Sequence, residues 1–274
     1  MSILFSSMNL RTLCIVPAFA LLGLTAQFGC NSSGPGQPNI PADYELRVTL
    51  IQDPNVDSSR TIAKLFKEGA DYDGAQLQFG NNLLNFYNTK YGFDTIFAFS
   101  QNMTPGYAAG PRSFFLDDSP FYQDTIVITI CSSFVITDIN VPASRIVRST
   151  PPDNRVTYTW SGSANAQNYV MAAVLADSAY RSYGYSTYLV SGTPSGTLPP
   201  EAFSVSPNPD LDTGLYNIYV YAINGSPDSA MTDGLLPVPL PSQRPNNISS
   251  PDLIGRFGSI QITLIDTVRA QTSK

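Results

Sequence analysis

The side chains that most often perform catalysis are sparse in this sequence. It contains no histidine, which excludes Ser-His-Asp and Cys-His catalysis and the usual histidine-containing zinc sites. Two pairs of carboxylates remain, Asp117-Asp118 and Asp210-Leu-Asp212. A glycosidase needs two carboxylates about 5 to 10 Å apart across a cleft. Because each pair lies close to proline or glycine, we expect turns at these positions, and we predict no catalytic residue.

One run of oxygen ligands has part of the order of a calcium-binding loop. Asp53-Pro-Asn55-Val-Asp57 matches D-x-N-x-D, the first half of that motif. The motif requires glycine at its sixth position and glutamate at its twelfth, where this chain has Ser58 and Lys64. We therefore predict a turn in this segment, with no metal site and no cofactor.

The three cysteines do not suggest a disulfide framework. Cys14 lies inside the N-terminal apolar segment and would leave with the leader, whereas Cys30 follows the end of that segment. Cys131 lies in an apolar run typical of a strand. We expect it to be a buried and inert thiol, because burial in apolar surroundings disfavours the reactive thiolate.

A cluster of four tyrosines is the candidate ligand-binding surface. Tyr180, Tyr183, Tyr185 and Tyr188 lie within the segment AYRSYGYSTYL. Residues two apart on a strand share a face, as Tyr183 and Tyr185 would. Exposed tyrosine rings can stack on sugars or form the centre of a protein interface, so a glycan or a protein is the expected partner. Alternatively, the tyrosines belong to an extended hairpin that covers the sheet.

The composition favours strands and argues against nucleic acid as a partner. The chain has 15 Lys and Arg against 21 Asp and Glu, a net charge of −6, and no basic cluster. Contacts with phosphates need clustered cations. Tyr and Phe contribute 15 residues each, and aromatic residues favour strands.

Residues 43–141 have the pattern of a β-sandwich. In the first run, Tyr44 to Ile51, apolar Leu46, Val48 and Leu50 alternate with polar residues. This period of two is typical of a strand with one buried face. Seven or eight such short runs are separated by turn residues, a spacing that predicts a sandwich of two sheets.

Residues 142–274 contain motifs of a known module. Trp160 is followed by serine, the next apolar run begins at Tyr169, and Tyr216 opens the pattern Tyr-x-x-x-Val-x-Ala-x-Asn. This half resembles a fibronectin type III module. The resemblance implies that Trp160 lies in the core between two sheets, and that Tyr216 forms the corner that ties one strand end to the opposite sheet.

The long segment 225–257 is a departure from that module. It contains Gly234-Leu-Leu-Pro-Val-Pro-Leu-Pro and is rich in proline, glycine and serine. Loops of this length are usually functional or disordered. The proline-rich part suggests either a polyproline recognition segment or an extended strand that lies along the domain.

The N-terminus has the pattern of an export signal. Arg11 precedes a mostly apolar run, Leu13 to Ala26, which is short for a transmembrane span of about 20 residues. Gly29 and Cys30 then precede a polar stretch. The arrangement resembles the lipobox of bacterial lipoproteins, although the two residues before Gly29 differ from the family preference. The resemblance implies that Cys30 carries lipid; an ordinary signal cleaved near Ala26 is the alternative.

Together these patterns predict an all-β protein with two immunoglobulin-like or fibronectin type III-like sandwiches in tandem. The expected divisions are a signal peptide at 1–29, a tether at 30–42, and domains at 43–141 and 142–274. We expect a lipid-anchored protein of the bacterial cell envelope with a non-catalytic role in binding, adhesion or scaffolding. Carbohydrate binding through the tyrosines is the first alternative, and a carboxylate-dependent glycosidase is the second.

Overall fold

The computed structural model describes residues 43–91, 94–148, 154–176, 184–190, 192–204, 213–232 and 234–271. Pro41–Lys274 forms one compact unit. The regular structure of the described residues consists of strands and two short 3-10 helices, Pro200–Phe203 and Ser229–Met231. This confirms the all-β fold class. No helix in these ranges has the length and apolarity needed to span a membrane.

The strands build three sheets. Those of the first half are β1 Tyr44–Asp53, β2 Ser58–Lys67, β3 Ala70–Asp71, β4 Gln76–Phe79, β5 Asn82–Leu83, β6 Asn85–Tyr91, β7 Asp94–Met103, β8 Gly110–Asp118, β9 Tyr122–Ile130 and β10 Ile136–Asn140. Those of the second half are β11 Ile146–Val147, β12 Val156–Trp160, β13 Asn168–Leu175, β14 Tyr185–Tyr188, β15 Ser195–Leu198, β16 Gly214–Gly225, β17 Ile248–Ser249 and β18 Leu253–Ala270. The large sheet has the order β14-β13-β16-β18-β1-β2-β7-β6, with β3, β11 and β17 attached to it, and the smaller sheets are β5-β4-β8-β9 and β10-β12-β15.

The strand β18 belongs to both halves of the molecule. Its first part runs parallel to β1 and pairs Leu46 with Gly255 and Ile51 with Ile260. Its second part runs antiparallel to β16. Only glycine fits at position 255, where φ is +150° and a Cβ atom would overlap the Leu46 carbonyl oxygen. The single strand β18 therefore contributes to the sheet in both halves.

The core of the first half lies between the large sheet and the four-stranded sheet. Leu46, Val48 and Leu50 are fully buried there, as the alternation of β1 predicts. Phe257 of β18 lies in the same core with its ring 5.5 Å from that of Phe114. The division into 43–141 and 142–274 stays a prediction, but the first core includes side chains from the C-terminal part of the chain.

The core of the second half lies between the large sheet and the three-stranded sheet. Trp160 is 2% exposed, and its ring centroid lies 5.2 Å from that of Tyr169 on β13. The Tyr216 hydroxyl donates a buried hydrogen bond of 2.8 Å to the Phe203 carbonyl oxygen, which follows β15 of the opposite sheet. The structure confirms the positions that were expected for Trp160 and Tyr216.

The segment between β16 and β17 covers the outer face of the large sheet in the second half. Leu236, Val238 and Leu240 alternate with prolines, and all three are buried against β13, β16 and β18. The Tyr221 hydroxyl donates to the Val238 carbonyl oxygen (3.1 Å) and accepts from the Val238 amide (3.0 Å). This segment, which we call the covering loop (226–247), includes the 3-10 helix Ser229–Met231, and its proline-rich part lies along the sheet.

Candidate functional site

Some of the side chains singled out by the sequence are not part of the described ranges. Cys30, Tyr180, Tyr183, Asp210 and Asp212 all lie outside the described residues. The lipid attachment at Cys30 and the roles of these tyrosines stay predictions.

The two described tyrosines of the cluster lie on opposite faces of β14. Tyr185 packs against the core that contains Trp160, whereas Tyr188 packs against the covering loop and donates to the Ser242 carbonyl oxygen (3.0 Å). Burial raises the pKa of Tyr188, and the nearby positive charge of Arg244 opposes that rise. These two rings do not form one shared surface, which agrees with the alternative that the tyrosines cover the sheet.

Cys131 and Asp117 have the structural roles that the sequence predicts. Cys131 is 1% exposed, and burial raises the pKa of its thiol to about 11, which disfavours the thiolate. The Asp117 carboxylate accepts a hydrogen bond from the Ser119 amide (3.0 Å), which is a turn contact. Hydrogen bonds from the Ser119 and Gln123 side chains hold the pKa of Asp117 below its usual value.

Asp118 does more than form a turn. Its carboxylate is 5% exposed and accepts hydrogen bonds from the hydroxyls of Tyr44 (2.6 Å) and Tyr72 (2.8 Å) and from the Lys67 ammonium (2.8 Å). Burial acts to raise the pKa of Asp118, but these hydrogen bonds together hold it below its usual value. The Lys67 ammonium lies 4.8 to 5.0 Å from the ring centroids of Tyr44, Tyr72 and Phe121. Asp118 is therefore the buried partner of an ion pair with Lys67, and no second carboxylate among the described residues accepts from Lys67.

The segment with calcium-loop order forms a turn. The Asp53 carboxylate accepts from the Asn55 amide (3.0 Å), and Asp57 accepts from the Gly106 amide (3.2 Å). Across the described ranges, no group of three or more Asp, Glu or Cys side chains is arranged to hold a metal ion.

The candidate site is a groove of about 460 Å³ on the outer face of the large sheet, beside the covering loop. Its floor is a small apolar cluster of Ile62, Ala98 and Met231, which are 8%, 4% and 6% exposed, with Leu235 packed against them. Ile62 faces the groove because side chains alternate along β2, so that its neighbours Ala63 and Leu65 point into the first core.

The walls of the groove are polar. They consist of Arg60 and Lys64 on β2, Tyr87 on β6, and Ser100 and Asn102 on β7. The strand register places Arg60 opposite Asn102 at one end. At the other end Tyr87, 48% exposed, lies opposite Ala98. Lys64 follows directly after Ala63, which is paired with Phe99 of β7. The two cations are four residues apart, a distance of about 13 Å along a strand.

A row of cations crosses the sheet beside the groove. Arg47 lies opposite Arg256 on β18 and opposite Lys64 on β2. The Arg47 guanidinium donates to Glu45 (2.7 Å). The Asp228 carboxylate, 2% exposed, lies 3.8 Å from Arg47 and from Arg256 and fixes the start of the covering loop. The two carboxylates that the structure describes in this region are thus engaged by the two arginines.

Arg60 and Lys64 are left with surplus positive charge. Within the part of the chain that the structure describes, neither has a carboxylate within ion-pair distance. No Asp, Glu or Cys is among the described residues that line the groove. The site therefore offers cations, an amide, a hydroxyl and an aromatic ring over an apolar floor. This set suits ligand binding, and the volume lies within the usual range for ligand sites, about 300 to 1,000 Å³.

The sequence patterns did not predict this groove. The one available signal is the order Arg60-Thr-Ile62-Ala-Lys64, in which two cations flank an apolar residue on the face opposite the core. The residue that completes the floor, Met231, lies far away in the sequence. Only the packing of the covering loop brings it to β2.

No protein-family model and no curated protein matches the sequence. Among solved structures, a cytokine receptor complex is 12% identical and has a TM-score of 0.24, with 81% of this chain and 94% of that chain covered. The FN1-FN3 domains of chicken CNTN1 are 12% identical with a TM-score of 0.28, covering 81% of this chain and 68% of that chain. The adhesin InvE of Yersinia pseudotuberculosis is 12% identical with a TM-score of 0.20, covering 64% and 54%. TM-scores in this range support no inference about function, which has to come from the residues of the site.

Proposed function

We propose that this chain is a lipid-anchored protein of the bacterial cell envelope that binds a ligand without converting it, and that the groove beside the covering loop is the binding site. The observation that carries the proposal is the pair of cations, Arg60 and Lys64, placed over a buried apolar floor without a carboxylate partner among the described residues. Buried apolar surface combined with a few placed polar groups is typical of ligand sites.

The non-catalytic part of the proposal is supported by the state of the carboxylates. Asp118 is engaged by Lys67, and Asp228 lies between Arg47 and Arg256. A glycosidase needs two carboxylates across a cleft with room for substrate between them. Neither carboxylate is among the described residues that line the groove, and no other described Asp or Glu lines it.

The anchor is supported by the sequence pattern at Gly29-Cys30 and by the glycine- and proline-rich tether. Mass spectrometry of the mature N-terminus tests it directly. We expect a diacylated Cys30 as the first residue, and we expect Cys30→Ser to release the protein from the membrane fraction. An unmodified N-terminus near residue 27 would refute lipidation and favour the ordinary secretory signal.

The groove is tested with a variant that fills it. Asn102 is an exposed wall residue on β7, so Asn102→Trp obstructs the groove without changing the core. The matched control is Gln76→Trp on β4, an exposed strand position in a different sheet. Binding to a panel of neutral and acidic oligosaccharides and peptides is measured by calorimetry with the full-length protein in detergent.

We expect a member of the panel to bind the wild type and the control equally, and to bind Asn102→Trp at least about tenfold more weakly, a loss of about 1.4 kcal/mol. Equal binding to all three proteins would place the ligand site elsewhere. Chemical conversion of the bound ligand would refute the non-catalytic role.

A further inference from the structure

The charge of the groove is the reverse of that of the chain as a whole. The protein carries a net charge of −6, yet Arg60 and Lys64 flank the groove and no acidic residue lines it among the described positions. The neighbouring carboxylates, Glu45 and Asp228, are already paired with arginines. A ligand with negative charge would therefore meet two cations that, among the described residues, have no carboxylate partner to give up.

The groups between the two cations are suited to hydroxyl-rich rings. Tyr87 offers an exposed ring at the end of the groove where Lys64 lies, and Asn102 and Ser100 offer an amide and a hydroxyl towards Arg60. Rigid amphipathic rings provide stacking surfaces, while amides and hydroxyls both donate and accept hydrogen bonds. The separation of the cations, about 13 Å along β2, requires a ligand longer than one sugar ring.

The strands that line the groove argue against a peptide as the ligand. Extended peptides usually gain affinity by adding a strand to an exposed sheet edge, through main-chain hydrogen bonds. Here β2 is paired with β1 on one side and with β7 on the other, and β7 is paired with β2 and β6. Along β2, which carries both cations of the groove, and along β7, the surface consequently offers side chains rather than free backbone groups, whereas β6, which carries Tyr87, is the edge strand of the sheet. A ligand recognised by charge, stacking and hydroxyl contacts fits this surface better than a peptide does.

We infer that the groove binds an anionic oligosaccharide, with its carboxylates on Arg60 and Lys64 and a sugar ring on Tyr87. The inference rests on the proposed function, because it names the ligand class of the same groove. The bound form is a short acidic chain that lies along β2, with its apolar ring faces on Ile62 and Ala98.

The test uses oligogalacturonates of about four to eight sugars as the probe, with two comparison ligands. Their fully methyl-esterified form has the same backbone without charge, and oligoglutamate has the charge without sugar rings. Affinities are measured by calorimetry with the full-length protein in detergent, at low and at high salt. The variants are Arg60→Gln, Lys64→Gln and Tyr87→Leu. Arg269→Gln on β18 is the matched control, since Arg269 is exposed, carries the same charge and lies outside the groove.

We expect the oligogalacturonate to bind more tightly than its ester, and its affinity to fall as salt rises, because salt screens exposed charges. Arg60→Gln and Lys64→Gln should each weaken binding about fivefold, the size typical of one exposed ion pair. Tyr87→Leu should weaken both sugar ligands, and Arg269→Gln should have no effect.

The failure of this inference differs from the failure of the proposed function. If oligoglutamate binds and the sugars do not, or if ester and acid bind equally, the anionic-sugar inference is overturned while the groove remains a ligand site. If no ligand of the wider panel responds to Asn102→Trp, the proposed function fails as well. Loss of oligogalacturonate binding in Arg269→Gln would show general charge attraction and would also overturn the inference.

Discussion

Replacement of Phe257 by alanine tests whether β18 couples the two halves of the molecule. Phe257 comes from the C-terminal strand but lies in the first core, 3% exposed, with its ring 5.5 Å from that of Phe114. The same strand pairs with β16, whose side chains form the second core around Trp160. Phe257→Ala should therefore lower the stability of both halves.

The magnitude follows from the burial of the ring. Truncation of a buried phenylalanine to alanine costs about 3 to 5 kcal/mol of unfolding free energy, because apolar contacts are lost and a cavity remains. With a urea m-value of about 3 kcal/mol/M, the upper end of the usual range, the unfolding midpoint falls by about 1 to 1.7 M.

Two spectroscopic signals separate the halves. Trp160 is the single tryptophan of the chain and lies in the second core, so its fluorescence reports that half. Far-ultraviolet circular dichroism reports the strands of both. We expect Phe257→Ala to lower the midpoint of both signals equally, since a shared strand makes unfolding cooperative. Val56→Ala, at a side chain that is 64% exposed in the first half, is the control and should shift neither signal appreciably.

The result that would refute this reasoning is a Trp160 transition that keeps its wild-type midpoint while the circular dichroism becomes biphasic. The two cores would then unfold independently, despite the pairing of β18 with both β1 and β16.

Three single contacts give further predictions. Tyr216→Phe leaves the buried Phe203 carbonyl without its donor, so the unfolding free energy measured in urea titrations should fall by about 1 to 3 kcal/mol. Tyr87→Phe, which removes the hydroxyl of an exposed side chain, is the control. Equal stability of the two variants would contradict a structural role for the Tyr216 hydrogen bond. Burial raises the pKa of Cys131 to about 11, so the native protein should resist alkylation of Cys131 by iodoacetamide at pH 8, whereas the protein unfolded in urea should react. Rapid alkylation of native Cys131 would show that the thiol is accessible. The folded-state pKa of Asp118 is lowered, so its stabilisation is present above the unfolded value of about 3.9 and is lost as pH falls through the folded pKa. When Tm is measured against pH, Asp118→Asn should therefore lose less Tm than the wild type as the pH falls below about 4. An equal loss of Tm in the two proteins would argue against this account.

Features set by short-range patterns are the ones that the sequence predicts well. The alternation of Leu46, Val48 and Leu50 is a property of neighbouring residues, and it determines which face of β1 is buried. Trp160 and Tyr216 were placed by a resemblance between motifs, and their contacts in the second core agree with it. The all-β class follows from the same local patterns together with the turn residues.

Features that depend on contacts between distant segments were beyond these patterns. The parallel pairing of β1 with β18 joins residues about two hundred positions apart, and nothing in either strand alone specifies the partner. Asp118 accepts hydrogen bonds from Tyr44 on β1, Lys67 on β2 and Tyr72, which follows β3. These donors are distant in the sequence, so the local pattern around Asp118, a carboxylate close to proline, predicted only a turn. The opposite faces of Tyr185 and Tyr188 follow from their odd spacing, but which face meets which core depends on the covering loop.

The covering loop explains why a groove exists at this place on the sheet. In the second half, the outer face is apolar, with Ile260 and Ile262 beneath Leu236 and Val238, so the loop must stay on it to keep that surface from water. Towards β2 the outer face changes to Arg60 and Lys64, which apolar loop residues cannot cover without burying charge. On this side, the loop contacts the sheet through Met231 and Leu235, which pack against Ile62 and Ala98. The groove is consequently the boundary between an apolar surface that the chain covers itself and a cationic surface that it leaves open to a ligand.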